Sequence, residues 1–332
     1  MKPKFILLTG AAAVLACLAC GCESDEPESQ AELYTETTST ENTTAPVTTT
    51  ECTTADPRSY MERHADLLTE SAPPAITERR EGVTYPQFEK YYYYSSTAER
   101  QTGVNVLLPA GYTADREYPV LYILHGSGDN EDWIASDAMM VNVMLTNLCA
   151  DGLAKEMIVV SPYIYCSKDM PFCTGLDEQN FRNFDNFRID LMTDLKPFIE
   201  ENFSVAKDRE HTAITGFSLG GREALNVGFH HPDAFGFLGS ICPASGVVEG
   251  TGLPFVFTNE EFRFAEGQQP ELFLLSAAEQ DAAVGVIPYD YHRILTENGT
   301  DHIWHVMTDS GHEMRSVISH LYSFMQMIFL DE

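Results

Sequence analysis

Short apolar runs of strand length alternate along most of the chain with segments whose apolar positions recur at helical spacing. The runs are rich in Val, Ile, Leu and Tyr, which is typical of strands that are buried on both faces of a sheet. The predicted strands are residues 104–108, 118–124, 157–161, 212–215, 235–241, 272–275 and 302–307.

The segments between these runs predict helices. Apolar residues recur at helical spacing from Ile189 to Ile199, and Pro197 is expected to kink that helix because proline lacks the backbone N–H. Further helices are predicted over residues 219–229, 288–297 and 314–328. The alternation predicts an α/β fold, a mostly parallel central sheet with helices on both faces. Because no repeat or second linker divides residues 58–332, we expect one domain there. The pattern over residues 60–77 is assigned to neither a helix nor a strand.

The N-terminus has the pattern of an export signal. Lys2 and Lys4 precede an apolar run over residues 5–19 that is short for a permanent membrane helix. Small residues before a cysteine at the end of such a run resemble a bacterial lipoprotein signal. Residues 1–22 are therefore predicted to be the signal, with Cys22 favoured as the lipidated residue and Cys17 as the alternative. We expect a secreted, cell-surface lipoprotein of a bacterium. The alternative is an ordinary secretory signal, with which these cysteines would be removed.

Residues 23–57 are rich in Thr, Glu, Ser and Pro and contain almost no apolar residues. Such a segment cannot bury enough surface to offset the conformational entropy that is lost on ordering. It is predicted to be a disordered tether between the lipid and the folded domain.

Composition and charge restrict the class of partner. Apolar residues make up 44% of the chain, which is enough for a folded core. The formal charge of −30 excludes nucleic acid and anionic lipid as partners, because both are bound through cationic side chains. Contact with a membrane is then expected only through the N-terminal lipid, and the sequence leaves the oligomeric state open.

A Gly-Phe-Ser-Leu-Gly segment, residues 216–220, joins a predicted strand to a predicted helix. A strand, a sharp turn and a helix together form a nucleophile elbow, in which glycines permit the strained backbone that exposes the serine hydroxyl. Without a strand before it and a helix after it, the same motif would indicate only a turn. In this context Ser218 is the predicted nucleophile.

A serine nucleophile needs a base. In proteins with a nucleophile elbow, the catalytic residues follow the chain order Ser, acid, His. His312 follows the last predicted strand and is the predicted base. Glu279 and Asp281 follow the strand at 272–275, and position alone leaves either as the acid. The remaining histidines are expected in structural places, with His320 on the polar side of the last helix. Since no metal-binding motif accompanies them, neither a metal nor a cofactor is predicted.

Stabilisation of an oxyanion requires two backbone N–H donors. The amide of Leu219, directly after the nucleophile, is one predicted donor. The other is expected in the His-Gly-Ser-Gly segment 125–128 after a strand, and Ser127 is favoured there.

Several segments together resemble the esterase D-like α/β-hydrolases. Within that group they are most similar to the feruloyl and acetyl-xylan esterases of carbohydrate esterase family one, over about residues 91–329. The resemblance implies the α/β-hydrolase fold and selects Asp281 as the acid, although the family's glycine before it is missing here. The segments are residues 118–126, 157–162, 208–214, 216–221 and 310–312.

The resemblance implies hydrolysis of an ester between an aromatic acid or acetate and plant-wall xylan, with feruloyl esterase activity favoured. Acetyl-xylan esterase activity, action on general small esters, and an inactive hydrolase fold that serves as a binding module are the alternatives. Four aromatic residues on predicted loops are candidates for stacking on a feruloyl ring, or for ordinary loop packing. They are Trp133, Tyr163, Tyr165 and Phe172.

The cysteines of the predicted domain have different expected states. Cys166 and Cys173 are close enough in sequence to form a disulfide in an oxidising exterior. Cys149 and Cys242 are expected to be buried thiols.

Overall fold

The computed structural model describes residues 56–330 of the chain. The predicted signal, with Cys17 and Cys22, and nearly all of the predicted tether lie outside these residues. Within them, no helix is long and apolar enough to cross a membrane.

One eight-stranded sheet, in the order β1-β2-β4-β3-β5-β6-β7-β8, organises the described residues. β2 pairs antiparallel with β1 and with β4, and all other neighbours are parallel. Every residue of the five strands from β3 to β7 is buried, as continuous apolar runs predict. The predicted mostly parallel sheet is therefore confirmed. The strands are β1 Glu89–Ser95, β2 Arg100–Leu107, β3 Val120–Leu124, β4 Ile158–Pro162, β5 Thr212–Gly216, β6 Phe237–Ile241, β7 Leu272–Ala278 and β8 Ile303–Met307.

Ten α-helices accompany the sheet in the described part of the chain. Where a kink was predicted, a π-helical turn over Leu191–Leu195 precedes Pro197, so the long helix is divided there. The helices are α1 Tyr60–His64, α2 Pro74–Thr77, α3 Asp132–Ala135, α4 Val141–Ala150, α5 Glu178–Asp185, α6 Phe187–Asp190, α7 Lys196–Asn202, α8 Leu219–His230, α9 Ile287–Glu297 and α10 Met314–Met327.

The edge strand β1 was not among the predicted strands. It contains four consecutive tyrosines, of which Tyr92 and Tyr94 are exposed and Tyr93 is buried. The alternation is that of a strand with one solvated face. An aromatic run that lacks aliphatic residues hides this pattern from a search for continuous apolar segments.

His320 does not lie on a solvated face of α10, so this expectation was wrong. Its side chain is fully buried, with Nδ1 2.7 Å from Ser276 Oγ on β7 and Nε2 3.1 Å from Thr215 Oγ1 on β5. Hydroxyl groups of the sheet therefore satisfy a buried polar side chain that the sequence pattern assigns to solvent. Burial lowers the pKa of His320 to about 3.

The expected disulfide between Cys166 and Cys173 is not formed, and both thiols are free. Cys166 is buried next to the carboxylate of Asp190, whereas Cys173 Sγ donates a hydrogen bond to the Gly175 carbonyl at 3.1 Å. Each sulfur therefore has a polar neighbour of its own.

Candidate active site

Ser218 occupies the sharp turn between β5 and α8. Its backbone has φ 58° and ψ −116°, an unfavourable region for a residue with a side chain. The Ser218 N–H donates to the Ile241 carbonyl at 2.9 Å, and its carbonyl accepts from the N–H groups of Arg222 and Ala244. These bonds to β6, to α8 and to the segment after β6 hold the strained turn in place.

The glycines on either side of Ser218 are required by close packing. A Cβ at Gly216 would lie 2.3 Å from the Gly220 carbonyl oxygen, and a Cβ at Gly220 would lie 2.4 Å from backbone oxygens of Leu124 and His125. Any side chain at either position would clash with backbone. Glycine is therefore required at position 216 by the tightness of the turn, and at position 220 by the close approach of the backbone at the end of β3.

His312 follows β8, and its side chain contacts the turn although it lies 94 positions after Ser218 in the sequence. Its Nε2 lies 2.9 Å from Ser218 Oγ, and its ring lies 4.4 Å from the ring of Phe217, centre to centre. The His312 side chain is 20% exposed to solvent. The hydroxyl of Ser218 thus has a partly accessible imidazole within hydrogen-bond distance.

Of the two candidate acids, Asp281 is the one whose carboxylate contacts His312. Its Oδ2 lies 2.8 Å from His312 Nδ1, while Oδ1 accepts from the backbone N–H groups of Ala283 and Val284. Burial alone would raise the pKa of Asp281, but the hydrogen bonds from His312 and from these amides leave it below the ordinary value. Glu279 is exposed and accepts instead from the Asp309 N–H at 3.3 Å.

Cys242, directly after β6, is a further member of this cluster, and no sequence motif indicated its place here. Ligand atoms of Cys242, Asp281 and His312 all lie within 4.8 Å of one another, a spacing that could hold a metal ion. However, burial and the neighbouring Asp281 carboxylate raise the pKa of the Cys242 thiol well above its ordinary value. In the protein without a bound ion, this environment favours an S–H beside the carboxylate.

Ser218 and His312 line a cavity of about 250 Å³, here called the serine cavity. Leu219 and Ser127, the two residues predicted to supply backbone donors, also line it. Its remaining wall is mainly apolar and comes from segments after β4, β6 and β7. It includes Leu176, Phe181, Ala244, Val284 and Ile287.

The segment that carries Ser127 is held by His125. The buried His125 ring accepts from the Ile164 N–H at Nε2, and its Nδ1 lies 2.7 Å from the Gly126 carbonyl. Burial lowers the pKa of His125 to about 4, so the ring is neutral and Nδ1 is the donor. The ring therefore fixes the path of the chain one residue before Ser127.

Arg222, one turn into α8, joins two walls of the serine cavity. Its guanidinium lies over the Phe181 ring, 5.1 Å from the ring centre, and donates to the Ser245 and Gly246 carbonyls at 3.1 Å each. The side chain is fully buried and also forms ion pairs with Asp185 and Glu223. Arg222 is thus a supporting residue that sequence reasoning missed.

None of the four predicted stacking residues lines the serine cavity. Tyr165 is buried, and its hydroxyl bonds Asn180 and Asn183, so protein covers the ring and a stacking role is not supported. Trp133 packs on Phe217, with ring centres 5.6 Å apart. Tyr163 and Phe172 line a separate groove.

The Esterase family model matches residues 95–315, a span that contains Ser218, Asp281 and His312. The chain belongs to the Esterase family. The expectation of a carboxylic ester hydrolase is therefore confirmed at the level of the family.

Among solved structures, this Esterase family member is similar to a CE1 ferulic acid esterase from the anaerobic fungus Anaeromyces mucronatus, in complex with ferulic acid. The two are 35% identical with a TM-score of 0.75, over 79% of this chain and 97% of the other. The resemblance to carbohydrate esterase family one and the α/β-hydrolase fold are thus confirmed.

Curated relatives are longer proteins. An endo-1,4-beta-xylanase/feruloyl esterase of Xylanibacter ruminicola is 30% identical over 48% of this chain and 22% of the relative. Endo-1,4-beta-xylanase Y of Acetivibrio thermocellus is 25% identical over 65% of this chain and 18% of the relative. The match thus spans about a fifth of each of these two relatives.

Proposed function

We propose that this protein is a serine esterase that releases feruloyl groups from xylan. The observation that carries the proposal is the pair of hydrogen bonds from His312, one to Ser218 Oγ at 2.9 Å and one to Asp281 Oδ2 at 2.8 Å, beside an apolar cavity. This chain of groups is the arrangement that activates a serine for acyl transfer.

In the first half of the reaction, Ser218 Oγ attacks the ester carbonyl while His312 Nε2 takes the hydroxyl proton. Asp281 holds the ring with Nδ1 protonated and stabilises the imidazolium that forms. The backbone N–H groups of Leu219 and Ser127 donate to the tetrahedral oxyanion, and each such donor lowers the barrier by about 3 kcal/mol. His312 then protonates the departing sugar oxygen, which leaves an acyl-enzyme.

In the second half, water replaces the sugar. His312 Nε2 takes a proton from the water as its oxygen attacks the acyl carbonyl, and the proton then returns to Ser218 Oγ when the carboxylic acid leaves. Each proton is held by a group of this chain, so neither a metal nor a cofactor enters the sequence of steps.

The apolar wall of the serine cavity supports a feruloyl group as the acyl part. Leu176, Phe181, Val284 and Ile287 offer carbon surface that a phenylpropenoyl group could cover. A relative that is 35% identical over 97% of its length carries ferulic acid in its structure, and two longer relatives are named as xylanases. An acetyl group would leave most of this surface in water.

We also propose the organisation that the sequence suggests. Residues 1–22 would act as a lipoprotein signal, residues 23–57 as a tether and residues 58–332 as the esterase domain. Labelled palmitate should enter the full chain expressed in a bacterium, and Cys22→Ala should abolish the label whereas Cys17→Ala should retain it. Loss of label only in Cys17→Ala would move the site to Cys17, and no label in the wild type would favour an ordinary secretory signal.

A product assay tests the substrate. The full chain, incubated with feruloylated arabinoxylan and with acetylated xylan, should release ferulate much faster than acetate. The opposite preference would make the protein an acetyl-xylan esterase. Turnover of p-nitrophenyl acetate alone would indicate a general small-ester esterase, and no turnover of any ester would indicate a binding module.

A further inference from the structure

A second depression begins one residue beyond Ser127. It has a volume of about 440 Å³, within the range of about 300–1,000 Å³ that is usual for small-ligand sites, and we call it the outer groove. Because Ser127 lines the serine cavity and Gly128 lines the outer groove, one short loop borders both. The lining of the outer groove includes Gln101, Gly128, Asp129, Tyr163 and Phe172.

The polar groups of the outer groove differ in what they already bind. Arg100 donates to the carbonyls of Ser167, Tyr165 and Pro171, and the Glu131 carboxylate accepts from Lys90 at 3.1 Å.

In contrast, two polar side chains of the outer groove are exposed and unengaged. Neither the Asp129 carboxylate nor the Gln101 carboxamide has a hydrogen-bond partner among residues 56–330. The groove therefore offers the Asp129 carboxylate and the Gln101 carboxamide to a ligand, while its lining cation, Arg100, already donates to backbone carbonyls. That set suits hydroxyl groups, which both donate and accept, and it disfavours an anionic ligand.

Phe172 adds an apolar face to these polar groups. Its side chain is 65% exposed, and it lines the groove on the segment that also carries Pro171. An exposed phenyl ring beside unengaged hydrogen-bonding groups suits a ligand with both carbon-bound hydrogens and hydroxyls on one compact ring. A pyranose or furanose sugar has this character.

We propose that the outer groove binds the neutral sugar chain that carries the ester, while the serine cavity takes the acyl group. This inference rests on the proposed function, because an ester joins its acid and its alcohol at one atom and the two sites must then be adjacent. The shared loop at Ser127 and Gly128 meets that requirement. It also gives Phe172 a role different from stacking on the feruloyl ring.

The test compares two substrates with the same acyl group, a feruloylated arabinoxylo-oligosaccharide and methyl ferulate. In the full chain, Phe172→Ala should lower the ratio of kcat/KM for the oligosaccharide to kcat/KM for methyl ferulate about fivefold. Asp129→Ala should lower the same ratio about tenfold, because a hydrogen bond to a charged group is lost. An unchanged ratio in both variants would overturn the proposal.

Leu176→Ala is the matched control. Leu176 belongs to the same segment as Phe172 and is equally exposed, at 65%, but it lines the serine cavity. It should therefore lower kcat/KM for both substrates by the same factor and leave the ratio unchanged. If Leu176→Ala and Phe172→Ala change the ratio alike, the segment acts as a whole and the outer groove is not a separate sugar site.

A binding measurement separates this proposal from the esterase function. Calorimetry of Ser218→Ala with an arabinoxylo-oligosaccharide that bears no ester should detect binding, and adding Phe172→Ala should weaken it about fivefold. Such binding would support the outer groove even if the wild type released no ferulate. Absence of binding in Ser218→Ala, with active wild type, would refute the groove and leave the esterase function intact.

Discussion

The Oδ2 atom of Asp281 lies 2.8 Å from Nδ1 of His312, although the two residues follow different strands and are 31 positions apart. Because the parallel strands β7 and β8 are neighbours, the loops after them emerge at the same edge of the sheet. The backbone N–H groups of Ala283 and Val284 hold the Asp281 carboxylate in this position, and the other ring nitrogen of His312 faces Ser218. Glu279, two residues earlier, remains exposed.

Asp281→Asn should lower kcat for methyl ferulate on the order of 10⁴-fold, because an amide cannot hold the imidazole in the required tautomer. Steady-state kinetics measures this loss. Glu279→Gln is the matched control and should retain wild-type kcat. If the two variants lose activity equally, Asp281 is not the acid.

Arg222→Met should lower the free energy of unfolding by about 3–5 kcal/mol, since Glu223 would remain buried without its ion pair. It should also raise KM, because Phe181 and Ser245 lose the side chain that joins them. Urea unfolding and steady-state kinetics measure the two effects. Arg182→Met, which breaks an exposed pair with Glu178, should change neither.

Stability should fall as the pH is lowered from 7 to 5. His320 has a pKa of about 3 in the folded protein, below the value of about 6.5 that it has when unfolded. Between these values the unfolded state binds more protons, so acid favours unfolding by about 2 kcal/mol from this residue alone by pH 5.

Urea unfolding at pH 7 and at pH 5 tests this effect. His125, with a pKa of about 4, acts in the same direction and adds to the loss. The loss between the two pH values should be smaller in His320→Gln than in the wild type, whatever the stability of the variant at pH 7. An equal loss in both proteins would show that His320 does not stay neutral in the fold.

The two buried thiols near carboxylates should be inert in the native protein. Burial, reinforced by Asp190 and by Asp281 respectively, raises the pKa of Cys166 and of Cys242 well above the ordinary value, and the thiol rather than the thiolate persists. Iodoacetamide at pH 8 followed by peptide mapping should label Cys173 and leave these two unlabelled until the protein unfolds. A disulfide-linked peptide of Cys166 and Cys173 would contradict the structure.

The central sheet and the candidate triad could be predicted because each rests on local pattern. Continuous apolar runs identify buried parallel strands, and the glycines around Ser218 are required by the turn that they form. Chain order then restricts the base and the acid to the loops after β8 and β7. The choice between Glu279 and Asp281 needed a family resemblance, because position alone allows both.

Apart from the predicted catalytic and oxyanion residues, the lining of the serine cavity and of the outer groove could not be predicted, because it depends on contacts between distant segments. Tyr165 is drawn inward by Asn180 and Asn183, whereas Phe172, seven residues later, points to solvent. His320 likewise depends on hydroxyls from two strands. The local sequence around Tyr165, Phe172 and His320 does not show which of these side chains is buried and which is exposed.

The most direct test of the proposed reaction is mass spectrometry of the full chain, quenched during turnover of a feruloylated arabinoxylo-oligosaccharide. We predict one feruloyl group on the peptide that contains Ser218, and no such group in Ser218→Ala, whose release of ferulate should fall by at least about 10³-fold. A feruloyl group on another residue, or ferulate release by Ser218→Ala at the wild-type rate, would contradict Ser218 as the nucleophile.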